Sequence, residues 1–408
     1  MQQEDERGKE LPREILVQIF CKLPAKVVGQ LSSVCKSWYE IVTDPTFIAM
    51  HVDWCAKNQT GFEYLISYTG SEISRLRRKS FDFKETLRLP QDQNSLKFKL
   101  KLVGSCHGLL CLTTQAGRPY IGAHTYLWNP LIGVLKKLRG LSGKLKKLSC
   151  MHVRRRGNAF GFGFDSGTGD YKVFQIVRLN LRGKDGGGGH RWVTTKWVYS
   201  LATNSWKQVK EADDDDDAFP TEPDTYYYTT YVNGACYWMQ TRDPFSSTVI
   251  KWFDFSDETI RKTKLPVDDY YDDDDDKDTN MTMGSLNNSL ALFVTHLEEQ
   301  PPPTVNVVNV WLLKKDIESS STSSSSSSFL WVKQLSAVLS QYHLWYIKTG
   351  LDDEILPLRY RSISGTEWRC GLNIYDIKKQ TITEVDDDIY HERVPEIFTY
   401  SESLLLPS

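Results

Sequence analysis

Eight histidines and eight cysteines are the residues of this 408-residue sequence best suited to metal, acid–base or thiol chemistry. Their spacing builds none of these sites. A zinc hydrolase needs paired imidazoles on one helix face, and no HExxH or HxH pair occurs. A structural zinc site needs closely paired thiolates, and no CxxC occurs; Cys106 and Cys111 come nearest, with four residues between them. The sequence has no GxSxG elbow for acyl transfer and no GxxxxGK[ST] loop for a nucleotide phosphate. Gly161-Phe162-Gly163-Phe164 alternates glycine but leads into no helix, so it reads as a strand approached closely by a neighbour. His107-Gly108 reads as a turn. No cofactor or metal is implied.

Charge runs offer binding rather than bond-making. Acidic runs occupy 213–217 and 268–276. A calcium loop alternates its ligands and contains a glycine and a terminal Glu, which uninterrupted Asp does not provide, so these runs read as solvated loops. A basic stretch carries Lys136, Lys137, Arg139, Lys144, Lys146, Lys147, Arg154, Arg155 and Arg156 with no acid between them. It is a candidate partner-binding loop, suited to an acidic partner or to phosphates. It lacks the interleaved aromatics of a single-strand binder, which disfavours nucleic acid.

Composition narrows the class. The length suggests one small and one large unit. A net charge of −2 gives no global attraction to nucleic acid or membrane. Aromatic residues make up 12% of the chain, which favours strands. The polar opening MQQEDERGKE is no export signal. No apolar run approaches the ~20 residues of a membrane helix. With free thiols, these features lead us to expect a cytoplasmic or nuclear protein.

The elements differ sharply between the two units. Residues 1–10 are expected to be a disordered tail. From Leu11 the apolar residues recur every three or four positions: Ile15, Leu16, Ile19, Phe20 and Leu23, then Val27, Val28 and Leu31, then Val34, Trp38, Ile41 and Val42. Pro12 suits a first helical turn, and Pro24 ends one helix and starts another. The pattern predicts three short helices and a brief fourth beginning at Phe47, over 11–52, followed by a connector at 53–61. So small a module buries too little to be robust alone and leaves apolar residues for a partner. The run Leu11-Pro12, Ile15, Ile19, Leu23-Pro24, Val34-Cys35-Lys36-Ser37-Trp38, Asp44-Pro45 and Phe47 to His51 resembles an F-box. That resemblance implies docking on a Skp-type adaptor and, through it, a cullin scaffold. It assigns Leu11, Pro12, Ile15, Ile19, Leu23, Pro24, Val28 and Leu31 to the adaptor contact and Val34, Trp38 and Phe47 to the module's core. The chain departs from the family pattern at Gly29-Gln30-Leu31-Ser32-Ser33, and a glycine within a helix costs ~1 kcal/mol relative to alanine.

Beyond residue 62 the texture becomes alternating, with Gly, Asn and Asp turns. Strands group in fours: 99–138, 159–209, 226–264, 280–335 and 344–385. Strands near 62–68 and 79–84 and the tail IFTYSESLLL are left over, and pairing the two ends would complete a sixth blade of a β-propeller-like domain. GSCHGLLCL (104–112), WNP (128–130), GFGFDSGTGDYKV (161–173) and YSLATNSWK (199–207) resemble the F-box-associated, kelch-like domain of plant F-box proteins. With strands A to D in each blade, both acidic runs and the basic stretch fall in D–A connections and the Gly run 186–189 in a B–C connection, all on one face. The Ser run 319–328 falls in a C–D connection on the other. The whole reads as a mainly β protein with an α-helical amino-terminal module. The family resemblance implies a non-catalytic substrate receptor of an SCF-type ubiquitin ligase, binding an unknown target protein; the alternatives are a kelch-like propeller enzyme or a non-degradative scaffold.

Overall fold

The computed structural model describes residues 11–58, 61–67, 72–77, 83–88, 99–115, 124–141, 144–145, 153–182, 190–210, 229–241, 248–266, 279–298, 305–315, 329–340, 344–349, 354–364, 367–385 and 396–407. The expected tail at 1–10 and both acidic runs lie outside the described residues.

Four helices open the chain: α1 (Arg13–Phe20), α2 (Ala25–Leu31), α3 (Lys36–Val42) and α4 (Pro45–Asn58). Pro12 and Pro24 occupy the N-cap positions of α1 and α2, where a missing N–H costs nothing. Asp44 caps the next turn by accepting the Thr46 N–H at 2.8 Å. The fourth helix is not brief: it runs on through most of the expected connector, to Asn58. His51 and Cys55, one turn apart, are both buried, which extends the apolar face and keeps the helix going.

The strands form six four-stranded sheets, as a propeller requires. Blade I begins with β1 (Phe62–Ser67), β2 (Glu72–Leu76) and β3 (Phe83–Arg88). Blade II holds β4 (Lys99–Cys106), β5 (Leu109–Gln115), β6 (Thr125–Asn129) and β7 (Val134–Lys137). Blade III holds β8 (Val153–Asp165), β9 (Asp170–Arg182), β10 (His190–Ser200) and β11 (Ser205–Val209). Blade IV holds β12 (Thr230–Val232), β13 (Ala235–Thr241), β14 (Thr248–Asp254) and β15 (Ile260–Lys264). Blade V holds β16 (Asn280–Leu286), β17 (Ser289–Glu298), β18 (Val305–Lys315) and β19 (Phe329–Ser340). Blade VI holds β20 (Leu344–Thr349), β21 (Glu354–Ser364), β22 (Glu367–Asp376) and β23 (Thr381–Glu384). The last strand, β24 (Glu396–Ser401), returns to blade I and takes its inner position beside β1.

The expectation that the two ends share a blade therefore holds, with one strand more than the sequence suggested. The strand expected near 79–84 falls mostly outside the described residues, and β3 begins at its end, at Phe83. β2 escapes a pattern reading because its sequence, EISRL, looks polar. Its Arg75 is only 5% exposed. The guanidinium reaches Glu63 on β1, Glu85 on β3 at 2.8 Å and Glu402 beyond β24 at 2.7 Å, and lies over the Tyr400 ring. Three other segments of the closing blade converge on this one cation of β2.

Adjacent blades pack through apolar faces, and some contacts demand glycine. A Cβ on Gly161 would stand 2.1 Å from Cys236 Sγ, and one on Gly163 2.1 Å from the Tyr231 ring. The GFGF segment is thus where blade IV presses on the inner strand of blade III. The rest of that motif forms a tether: Lys172 donates to Asp165 at 3.0 Å, to the Phe255 carbonyl at 2.8 Å and to Glu258 at 3.0 Å.

Arg75→Ala would leave three carboxylates facing one another in the closing blade. Losing one partner of a buried ion pair costs ~3 kcal/mol or more. We expect the denaturant midpoint of the propeller to fall by a corresponding amount, with the slope unchanged; an unshifted midpoint would show that the cluster is not a closing device.

Candidate functional site

The helices bury one face and leave another open. Phe20, Cys21, Val28, Ile41, Val42 and Phe47 form the module's core, with Leu16, Leu23, Leu31 and Trp38 packed against it. Phe20 and Trp38 meet edge to face at 4.9 Å. On the other side Leu11 is 54% exposed, Ile15 40% and Ile19 43%, and Pro12 and Pro24 are exposed too. Two sequence expectations fail here. Val28 is fully buried and belongs to the core, because α2 turns it towards Ile41 and Val42. Val34 is 58% exposed and lies outside the core, because it falls in the turn between α2 and α3 rather than on either helix. Leu23 and Leu31 are half-buried, at the border of the two faces.

What fixes this module to the propeller is the segment after β24, a feature the sequence reading passed over. Leu404 packs into the helical core. Leu405 packs into the core shared by blades II and III. Between them, Asn129 of the WNP motif, fully buried, donates from Nδ2 to the Ser403 and Leu405 carbonyls, each at 2.9 Å. Its Oδ1 accepts the Leu131 N–H at 3.0 Å. The β4–β5 turn supports the same segment. Gly108 has φ +80°, and a Cβ there would stand 2.4 Å from Ser403 Oγ. Gly29 also belongs to this junction: a Cβ on it would lie 3.4 Å from Leu404 Cδ2. The departure from the family pattern thus sits on the tail-facing side of α2.

Two buried histidines, one inside the helical module and one at the junction, are favoured in their neutral form. His51 donates from Nε2 to the Leu23 carbonyl at 2.8 Å, tying α4 to the end of α1. Burial lowers its pKa, and the hydrogen bond to Leu23 only partly offsets that. His107 hydrogen-bonds the Tyr171 hydroxyl at 3.0 Å and meets Phe164 edge to face at 4.9 Å. Burial lowers its pKa as well, and the Asp53 carboxylate of α4 opposes the shift.

The module and the propeller match separate families. The F-box-like family matches residues 9–52, and the F-box associated beta propeller domain family matches residues 63–405. The chain belongs to the F-box proteins. An F-box/kelch-repeat protein of Arabidopsis thaliana is 24% identical over 63% of this chain and 66% of its own length. A putative F-box protein of the same plant is 25% identical over 64% of this chain and 62% of its own. The F-box protein CPR1, also from Arabidopsis, is 25% identical over 75% of this chain and 70% of its own. The matched region thus spans a little under two thirds of the first two relatives. Among solved structures, the beta-propeller domain of the Trilobed protease from Pyrococcus furiosus is matched over 80% of this chain and 96% of that one, at 6% identity and a TM-score of 0.30, too remote a likeness to carry an argument.

The F-box sits at one face of the propeller. β1 enters with Phe62 opposite Ser401, so α4 and the tail both stand where the inner strands end and the A–B turns lie. The D–A connections open on the opposite face. Both acidic runs join a D strand to an A strand, β11 to β12 and β15 to β16, so the connections that contain them leave from that opposite face.

The basic stretch is not one loop. Lys136 and Lys137 lie in β7, and Arg154, Arg155 and Arg156 in β8. Lys146 and Lys147 lie outside the described residues. The part after β7 is anchored by buried Leu138, Leu141 and Leu145 and crosses to blade III. There Trp206 Nε1 donates to the Arg139 carbonyl at 2.6 Å, and Lys144 donates to the Trp206 carbonyl.

Two outcomes follow from the junction. Leu404→Ser should let limited proteolysis separate the F-box from an intact propeller, whereas the native chain resists cleavage between them; equal resistance would disprove the latch. The helical module should also weaken in acid. Because the folded pKa of His51 is below the unfolded ~6.5, the unfolded state binds more protons, and stability is full above pH ~6.5 and falls as pH drops below it. His51→Gln should flatten that decline in a thermal-melt series across pH 5 to 7.5.

Proposed function

We propose that this F-box protein is a substrate-recognition subunit of an SCF-type ubiquitin ligase. The F-box docks on a Skp-type adaptor and, through it, joins a cullin scaffold, while the propeller holds the target protein. The observation that carries this reading is the two-sided use of the helical module. Its inner side is committed to Leu404 and the module's own core, and its outer side presents Leu11, Ile15 and Ile19 to solvent. Apolar exposure of that kind on a small module fits an obligate partner.

The chain makes and breaks no bond in this reading. It raises the effective concentration of target lysines at the ubiquitin-charged enzyme. A rigid link between the two domains preserves that gain, and the Leu404 latch supplies one. The buried thiols support a structural rather than a nucleophilic use: burial pushes Cys106 and Cys236 up to about 12 and Cys55 up to about 11. The working compartment in this proposal is the cytosol or nucleus.

Pull-down with a Skp-type adaptor tests the reading. Leu11→Ala with Ile15→Ala removes the centre of the exposed face, and truncating such anchors costs ~2 kcal/mol or more, at least tenfold in affinity. Val28→Ala should instead act by loosening the module, seen as a lowered melting temperature. Undiminished capture by the Leu11/Ile15 double variant would sink the proposal.

A further inference from the structure

Five of the six outer strands are short. β7 and β23 have four residues, β11 and β15 five, and β3 six. Short, charged edges such as VLKK in β7 and IRKTK in β15 discourage a foreign strand from pairing with them. β19 departs from this rule: its twelve residues, FLWVKQLSAVLS, carry a single charge. β18 pairs with one of its edges, and among the described residues no strand pairs with the other. An extra residue at Gln334 interrupts its register with β18, so the regular edge on the F-box side of that bulge is 329–333.

This stretch is fixed from one side and bare on the other. Towards blade IV, the Trp331 indole donates to the Lys264 carbonyl at 2.9 Å, and Phe329 meets the Trp252 ring edge to face at 5.1 Å. Leu330 and Val332 alternate with them and face blade VI. Val332 stands opposite Leu312, which is buried in the core shared by blades V and VI. From blade VI, Ile382 on β23 stands opposite Tyr375 of the same core and so faces blade V. Yet Leu330 is 55% exposed, Val332 41% and Ile382 41%. The core that joins the two blades stops short of their outer strands, and β23 is too short to cover β19. The three aliphatic side chains therefore line an open groove along a free strand edge. The residues leading into β19, 316–328, are ten Ser or Thr in thirteen with one large apolar residue, Ile317, a composition unsuited to covering that groove.

We propose that the free edge of β19 takes up an extended segment of the target as a fifth strand of blade V, with branched aliphatic residues at alternate positions seated against Leu330, Val332 and Ile382. The proposal rests on the substrate-receptor reading and specifies how the target is held. Two features select this occupant. The open backbone groups of a strand edge are matched in full only by another strand, and side chains of alternate residues then fall on the groove side. The regular edge is also short, about 17 Å for five residues. Pairing of that length cannot supply the ~800 Å² per partner of a stable dimer, whereas a transient hold on one extended segment needs less. The site lies across the ring from the F-box anchor: Leu405 enters the core of blades II and III, and the groove opens between blades V and VI. Target and adaptor can therefore be bound together. Such pairing supplies hold rather than fine selection, because backbone groups are common to all chains.

Fluorescence anisotropy on the full chain tests this, with a labelled octapeptide alternating valine and threonine as probe. We expect saturable binding. N-methylation of every second residue should abolish it in one of the two possible frames and spare it in the other, because only one set of amides faces β19. Leu330→Lys with Val332→Lys should lower affinity at least ~tenfold, and Ile382→Lys should lower it too, with native melting temperatures. Val338→Lys, beyond the bulge and on the strand's other face, should change nothing. In hydrogen exchange, the amides of 329–333 that turn away from β18 should exchange freely in the isolated chain and slow when the peptide is bound. Equal binding by the native and Leu330/Val332 chains, or indifference to both methylation frames, would overturn the proposal. So would full protection of those amides in the isolated chain, which would mean that the chain covers its own edge, or a native dimer that the lysine variant splits, which would assign the edge to a second copy. Adaptor pull-down of the same variants should remain native, so failure of the strand site is distinguishable from failure of the receptor reading.

Discussion

Closure of the ring by β24 is the constraint on which the rest of the structure depends. A propeller with five complete blades and a loose sixth would expose two sheet edges and a ring of apolar inner faces. Pairing of β24 with β1 along six residues removes that exposure and joins the chain's end to the start of its β body. Arg75 strengthens the closure in a way hydrophobic burial cannot. A single buried guanidinium satisfies carboxylates from β1, β3 and the tail, so those segments must arrive together. The cost of burying a cation is offset only when all of them are in place. Closure is therefore cooperative rather than piecemeal.

The same closure positions the functional module. β24 ends on the face where β1 begins, so the few residues beyond it emerge against the F-box. Leu404 and Leu405 then point into two different cores. Asn129 fixes the backbone between them by donating twice from one amide nitrogen, while its oxygen holds the turn after β6. Three sequence motifs that look unrelated meet here: the HG turn at 107–108, the WNP at 128–130 and the last residues of the chain. Each is explained by packing around one segment. Gly29 joins them, which turns a departure in the helical pattern into a junction residue.

Division of labour between the two faces follows from topology. In an antiparallel meander the A–B and C–D turns share one side, and the B–C and D–A connections share the other. The F-box takes the first side. Several charges there are paired within the propeller, and several of the turns are tight, with residues such as Asn204, Asn233 and Asn288 adopting positive φ. The second side carries the connections of widely varying length, among them the two that contain the acidic runs. Specificity for a target is best placed where length and charge vary without disturbing the blades.

The sequence by itself determined the two domains, the helical periodicity of the first, the six-blade count of the second and the pairing of its ends. It did so because each is written in local spacing: three-to-four for helices, two for strands, about fifty for blades. Tertiary structure alone decided the rest. Val28 and Val34 are both apolar and both lie near the end of a predicted helix, so only the way α2 packs on α3 could send one inside and leave the other out. β2 was illegible because its central arginine is neutralised by carboxylates far apart in sequence. The latch was invisible because Leu404 and Asn129 are 275 residues apart in a chain that gives no local sign of their meeting. The basic stretch looked continuous in sequence, yet its two ends lie on strands of neighbouring blades, β7 and β8. Long-range contacts of this kind carry no periodicity, so they become readable only once the ring has closed.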